Sequence, residues 1–136
     1  MLVLQFSILS VQADEIAPRY TDISAMGASF STNSDQTKYT FSAYLSAYEP
    51  VPVTLKCYIQ YNVNGYWYTE KSWEINRTKN ATIDATYKVN STYPYRLLVC
   101  GYVYTSNGTL SESDTIYRYT SWYPAANLSA FSYVVS

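Results

Sequence analysis

The chain has 136 residues, of which 48% are apolar and 14% charged, and its formal net charge is −1. These values suit a single globular domain, exclude a disordered polyelectrolyte, and give no electrostatic reason to bind nucleic acid or an anionic membrane. Histidine is absent, which removes the commonest general base and the commonest metal ligand, whereas tyrosine occurs 17 times.

The first 13 residues, MLVLQFSILSVQA, predict a secretory signal peptide. A short apolar run ends in Val11-Gln12-Ala13, which resembles a signal-peptidase site, although no basic residue precedes the run. An ordinary first strand is the alternative. The signal places the mature chain outside the cell or at its surface, beginning near Asp14. We expect no membrane span in the mature chain, because no later stretch approaches the roughly 18 apolar residues that a helical span needs.

Short alternating segments separated by polar turns follow, which is the pattern of an all-β protein. The predicted strands cover residues 20–31, 37–48, 52–62, 66–75, 81–89, 93–105 and 109–120. Two Asn-Gly pairs, Asn64-Gly65 and Asn107-Gly108, predict hairpins because both residue types tolerate positive φ. The sequence therefore predicts one antiparallel two-sheet sandwich of about seven strands over 14–120, followed by a tail, 121–136, without an assigned structure.

The sixth predicted strand carries a more specific pattern. It reads Tyr95-Arg-Leu97-Leu-Val99-Cys-Gly101 and is followed by Asn107-Gly108. This resembles strand F of the fibronectin type III and immunoglobulin-like sandwiches, in which a tyrosine opens the strand and alternate residues fill the core. The resemblance is consistent with a tyrosine corner at Tyr95 and implies nothing about a ligand.

A second resemblance spans roughly residues 15–120. Its motifs, in order, are Glu15-Ile-Ala-Pro18-Arg19-Tyr20-Thr21, a tryptophan at 73, Tyr87-Lys-Val89, Tyr93-Pro-Tyr95-Arg96, Tyr102 to Tyr104 and a closing serine-rich strand. This order is similar to that of an uncharacterised family of small secreted proteins of gut Firmicutes. The resemblance implies export, β structure and no known catalytic residue. The chain departs from the family pattern in its cysteines and after Tyr123.

The two cysteines leave two alternatives open, a disulfide or free thiols. Cys57 and Cys100 are too far apart in sequence for a CxxC metal or redox pair, and a single disulfide would fit an exported protein. Strand phase argues mildly against the disulfide. Cys57 alternates in phase with the apolar Leu55, whereas Cys100 is out of phase with Leu97, so the two thiols point to opposite faces.

The register of the hairpin at Asn64-Gly65 decides where two tryptophans lie. A two-residue loop puts both Trp67 and Trp73 on the solvent side, beside Tyr58, whereas a three-residue loop shifts the pairing by one and puts both in the core. In the first register these three rings and Tyr102 form a candidate ligand-contact surface. Such a surface suits the stacking of sugar rings or contact with a protein.

No set of catalytic residues stands out. Without histidine there is no Ser-His-Asp or Cys-His arrangement, and no phosphate-binding or HExxH motif occurs. Glu70 with Glu74, and Glu112 with Asp114, could in principle supply a glycosidase pair, and the second pair a calcium site. Because the solvated side of a sheet explains both pairs better, we expect no enzyme, no cofactor and no metal.

The sequence thus predicts a secreted, non-catalytic module that binds an extracellular protein or glycan. The alternative is a structural or envelope-associated protein without a discrete ligand site. A contiguous exposed aromatic patch would favour the first, and tryptophans in the core with scattered tyrosines would favour the second. Five Asn-x-Ser/Thr sequons matter only if the host glycosylates secreted proteins, and they begin at Asn76, Asn80, Asn90, Asn107 and Asn127.

Overall fold

The computed structural model describes residues 20–89 and 92–120, so the predicted signal, 1–13, and the tail, 121–136, lie outside the described residues. Within the described ranges the chain forms seven strands and no helix. They are β1 (Ile23–Thr32), β2 (Lys38–Ala47), β3 (Pro52–Val63), β4 (Tyr66–Thr78), β5 (Asn80–Lys88), β6 (Tyr95–Tyr104) and β7 (Leu110–Tyr119). Each lies where the alternation of the sequence predicts a strand.

The strands form two antiparallel sheets. One has three strands in the order β1-β2-β5, and the other has four in the order β4-β3-β6-β7. A three-stranded sheet against a four-stranded sheet, with β3 and β6 adjacent, is the arrangement of a fibronectin type III-like sandwich. The predicted fold class is confirmed.

The core lies between the sheets and is built from alternate residues of their strands, because successive side chains of a strand point to opposite faces. Its largest fully buried members are Tyr39, Tyr95, Phe41, Ile23, Leu45, Leu55, Ile59 and Leu97. Gly101 continues the inward row of β6. A Cβ atom there would come within 3.0 Å of the Met26 sulfur, so the absence of a side chain lets β1 approach β6 closely.

Both predicted hairpins are present, with different turns. Asn64 and Gly65 have φ values of 54° and 88°, as a two-residue type I′ turn requires. Between β6 and β7, Gly108 has a φ of 92° and its amide donates to the carbonyl of Thr105. This second connection is the three-residue form, in which a turn is followed by a glycine in the left-handed region.

A β-bulge in β4 changes the register of the β3–β4 pair. Near the turn Gln60 faces Thr69, as the two-residue loop dictates. One residue further from the turn, Ile59 faces Lys71 instead of Glu70. Glu70 is therefore the extra residue. Because a one-residue slip moves a strand's side chains to the other face, the two halves of β4 present opposite phases.

The bulge separates the two tryptophans. Trp67, on the turn side, lies on the outer face of the four-stranded sheet, whereas Trp73 faces Cys57 on the inner side. The Trp73 ring packs edge-on against Phe41, with 4.9 Å between centroids, and against Tyr87 at 6.0 Å. The two-residue loop was expected to put both tryptophans on the solvent side. This expectation is right for Trp67 and wrong for Trp73, because it assumed that the pairing set by the turn continues unchanged past the bulge.

The side chain of Glu70, the extra residue of the bulge, is bound by Tyr95, the first residue of β6. The Tyr95 hydroxyl donates a hydrogen bond of 2.7 Å to Glu70 Oε1. The hydroxyl thus ties the start of β6 to β4. The tyrosine corner expected at Tyr95 depends on the backbone a few residues upstream, where residues 90 and 91 lie outside the described residues. Burial, together with the nearby Glu70 carboxylate, raises the pKa of Tyr87.

Side chains of β7 bond to the backbone of β1 and of the residue that precedes it. We call this set of bonds the β1–β7 seam. Glu112 Oε1 accepts the amides of Asp22 at 2.7 Å and Ile23 at 2.8 Å, and Arg118 Nε donates to the carbonyl of Ala28 at 3.0 Å. These bonds satisfy backbone groups on the side of β1 away from β2, where an unpaired strand edge would otherwise remain.

The two cysteines are free thiols on opposite sides of the four-stranded sheet. Cys57 is fully buried in the core, and Cys100 is partly exposed on the outer face. The disulfide between them is therefore excluded, for the reason that strand phase indicated. Burial raises the pKa of the Cys57 thiol to about 12, which keeps it protonated and unreactive at neutral pH.

Candidate functional site

The outer face of the four-stranded sheet carries a group of partly exposed aromatic rings from all four strands. They are Tyr58, Trp67, Tyr102, Tyr104, Tyr117 and Tyr119. We call this group the aromatic face. The outward phase of each strand places them there, because their neighbours in sequence point into the core or across the seam.

Arg96 organises one half of the aromatic face. Its guanidinium carbon lies 4.2 Å from the centroid of the Trp67 ring and 4.5 Å from that of Tyr117, and its Nε donates to Gln60 Oε1 at 2.8 Å. Tyr119 tilts against Trp67 with 6.0 Å between centroids. A cation in contact with two rings is attracted to both, and the hydrogen bond to Gln60 fixes its position. This half of the face is therefore preorganised.

Lys56 organises the other half. Its Nζ lies 5.4 Å from the centroid of Tyr102 and 3.8 Å from Glu74 Oε1. Burial raises the pKa of Tyr102, and the nearby Cys100, Tyr58 and Tyr104 groups raise it further. These side chains therefore share one crowded neighbourhood, and the exposed Lys56–Glu74 pair adds little to stability.

The opposite outer face, on the three-stranded sheet, has a different chemistry. Its outward rows run in register across the sheet and consist mainly of Ser29, Ser31, Thr40, Ser42, Thr82, Asp84 and Thr86. Tyr44 is the large ring on this face, 44% exposed, and it covers the backbone of Gly27. The two solvent-facing sides of one sandwich thus differ, one aromatic and one hydroxyl-rich.

Three of the four predicted contact residues lie together. Trp67, Tyr58 and Tyr102 are on the aromatic face, whereas Trp73 is inside and is not part of it. Sequence reasoning left out Arg96, which contacts Trp67 from the far side of β3.

Tyr117 and Tyr119 were also left out, although a signal for them exists. Both alternate in β7 with Ile116 and Arg118, which point inward, so strand phase alone places the two tyrosines outward beside β6. Applying the same phase argument to the last strand would have found them.

The carboxylates singled out in the sequence serve structural contacts. Glu70 and Glu74 do not share a face, since the bulge separates them, and each binds a different partner. Glu112 is not solvated as expected but accepts backbone amides of β1, and Asp114 accepts the Tyr20 hydroxyl. Among residues 20–89 and 92–120 no group of three or more acidic or sulfur side chains is placed to hold a metal.

Comparisons with known proteins do not assign the chain to a family. No family model matches it, and neither does any curated protein. Among solved structures it is similar to an endonuclease/exonuclease/phosphatase from Beutenbergia cavernae DSM 12333, with 13% sequence identity and a TM-score of 0.30. The match covers 70% of this chain but only 27% of that one. A likeness this weak carries no functional argument. Within the described ranges no helix is long and apolar enough to cross a membrane.

Proposed function

We propose that this chain is a secreted, non-catalytic binding module, and that it contacts an extracellular protein or glycan through the aromatic face. The single observation that carries the proposal is the asymmetry of the sandwich. Six aromatic rings share one outer face, while the other is lined mainly by serine and threonine. Packing alone gives no reason for rings to gather on one solvent-facing side.

The arrangement of the rings supports the same function. Tyrosine and tryptophan supply large contact areas at a small cost in conformational entropy, and they are the residues that dominate binding interfaces. The stack of Trp67, Arg96 and Tyr117 already restricts three side chains before a ligand arrives. Secretion, and kinship with the small secreted proteins of gut Firmicutes, are parts of this proposal that rest on residues 1–13 and on the motif order.

The test is a glycan array probed with the mature chain, from Asp14 onward, beside two variants. Trp67→Ala removes a ring from the aromatic face, and Tyr44→Ala removes an exposed ring from the opposite face. We expect Trp67→Ala to weaken glycan binding at least tenfold and Tyr44→Ala to leave it unchanged, with both variants folded by circular dichroism. Binding that survives Trp67→Ala would contradict the choice of face. The absence of binding by the parent chain would restrict the ligand to a protein.

The alternative is a structural protein without a ligand site. The position of Trp73 on the inner side favours it, since a partly buried tryptophan packed against Phe41 has a packing role. If the folded parent chain binds neither glycans nor an extracellular protein, the structural role is the alternative that remains.

A further inference from the structure

A series of ring contacts leads out of the core at the end of the sandwich that carries the β3–β4 hairpin. Phe30 stacks on Tyr39 and Tyr39 contacts Tyr95, each with 5.1 Å between centroids. Tyr95 then contacts Tyr61 at 6.1 Å. Since Tyr39 and Tyr95 are fully buried, the series passes through the core before it reaches Tyr61.

Beyond Tyr61 the rings are exposed. Tyr93 stacks on Tyr61 at 5.4 Å and Tyr68 packs against it at 5.7 Å, yet these two are 43% and 49% exposed. Tyr66, on the same side of β4 as Tyr68, is 69% exposed. We call Tyr61, Tyr66, Tyr68 and Tyr93 the hairpin tyrosines. Tyr61, Tyr66 and Tyr68 follow the inward phase of β3 and β4, and Tyr93 stacks on Tyr61 from the connection before β6, so none of the four belongs to the aromatic face.

The chain leaves the described residues at this same end. Tyr119, the last residue of β7, pairs with Arg96, the neighbour of Tyr95. Thr120 follows on the inward phase, is 5% exposed, and has a buried hydroxyl without a hydrogen-bond partner among the described residues. A buried hydroxyl that is left unpaired is unfavourable. A polar group from outside the described residues is therefore expected to reach this position.

The segment that follows Thr120 has the composition to cover this surface. Residues 121–136, SWYPAANLSAFSYVVS, contain no charged side chain and include Trp122, Leu128 and Phe131. Burying apolar area is favourable, so contact between an uncharged aromatic segment and a set of half-exposed rings stabilises both. Sixteen extended residues reach about 50 Å, which is ample for folding back onto the adjacent hairpin.

We propose that residues 121–136 dock on the hairpin tyrosines of the same chain. The apolar side chains of the segment cover the four rings, and its backbone near the exit supplies the partner of the Thr120 hydroxyl. The inner side of the β3–β4 hairpin is then an intramolecular docking surface, and the ligand remains on the outer side.

Hydrogen–deuterium exchange of the full chain, read by mass spectrometry on peptides from 121–136, tests the proposal. We expect the segment to exchange at least tenfold more slowly than a synthetic peptide of the same sequence. The double variant Tyr66→Ser/Tyr68→Ser should abolish this protection. The matched control is Tyr48→Ser, because Tyr48 is 56% exposed but lies after β2, at the other end of the sandwich. Phe131→Ser changes the segment alone, and it should abolish the protection even if the double variant fails to fold.

Three outcomes would overturn the proposal. The first is exchange of the parent segment at the rate of the free peptide. The second is full protection in a folded Tyr66→Ser/Tyr68→Ser variant, which would place the segment elsewhere. The third is protection that disappears on dilution, which would make the occupant the segment of a second copy.

Discussion

Two tryptophans six residues apart in one strand have opposite surroundings. Trp73 is partly buried on the inner side and packs against Phe41 and Tyr87, whereas Trp67 lies on the outer face against Arg96. A ring packed against the core contributes its transfer from water and also prevents a cavity. A ring on the surface contributes a cation–π contact of about 1 kcal/mol.

We therefore expect Trp73→Ala to lower the free energy of unfolding by about 3 kcal/mol and Trp67→Ala by about 1 kcal/mol. Urea denaturation followed by far-ultraviolet circular dichroism measures both values. Equal losses in the two variants would show that the bulge does not separate their environments.

The same pair of residues shows what the sequence could and could not predict. Alternation between neighbouring residues is local, so all seven strands and the hairpin turn could be predicted. The position of Trp67 depended on the loop length, and the two-residue turn puts it outward. The position of Trp73 could not be predicted, because it depends on Glu70, and the partner that holds Glu70 in the bulge is Tyr95, 25 residues later. A run of four polar residues, Thr69 to Ser72, interrupts the alternation and is the one local sign of the bulge.

At the scale of elements, the strand edges of the sandwich are managed in different ways. The bulge in β4 and the lysine that follows it disturb the edge of the four-stranded sheet, and such features discourage pairing with another chain. At the β1–β7 seam the edge of β1 is satisfied by side chains of β7. Glu112 and Arg118 occupy the inward row of β7, where apolar residues are usual, and there they bind backbone groups at the edge of β1.

The seam predicts a specific loss of stability. Glu112→Ala leaves the amides of Asp22 and Ile23 without their carboxylate, which should cost about 2 kcal/mol of unfolding free energy. Glu112→Gln retains an oxygen that can accept both bonds and should cost less. Glu74→Ala is the control, since it removes a carboxylate from an exposed ion pair and should cost under about 1 kcal/mol. Urea denaturation measures the unfolding free energy of the three variants. An equal loss for Glu112→Ala and Glu74→Ala would contradict the stabilising role of the seam.

At the scale of the whole molecule, the described groups whose pKa values are raised most are weak acids that the fold keeps neutral. Burial, with the acceptor Asp114, raises the pKa of Tyr20 from 10.0 to about 12, and burial raises that of Cys57 from 9.0 to about 12. In the unfolded chain these protons leave at the lower values. Their contribution to stability is therefore complete below about pH 9 and is lost as the pH rises to about 12.

We expect the melting temperature to fall progressively between pH 9 and pH 12. Thermal denaturation followed by circular dichroism at pH 8 to 12 measures this fall. Cys57→Val should reduce the part of the fall that begins near pH 9, because valine has no proton to lose. A melting temperature that stays constant across this range would contradict the assignment.

The β1–β7 seam also determines how the domain responds to tension. Glu112 bonds near the start of β1 and Arg118 bonds further along it, so β1 and β7 run in the same direction. Force applied through residues 20 and 120 would therefore slide the two strands past each other rather than peel them apart. The bonds of Glu112 and Arg118 would resist this shear together, and β1 would stay attached until they break at once. The seam would therefore act as a mechanical lock between the two points where the chain enters and leaves the sandwich.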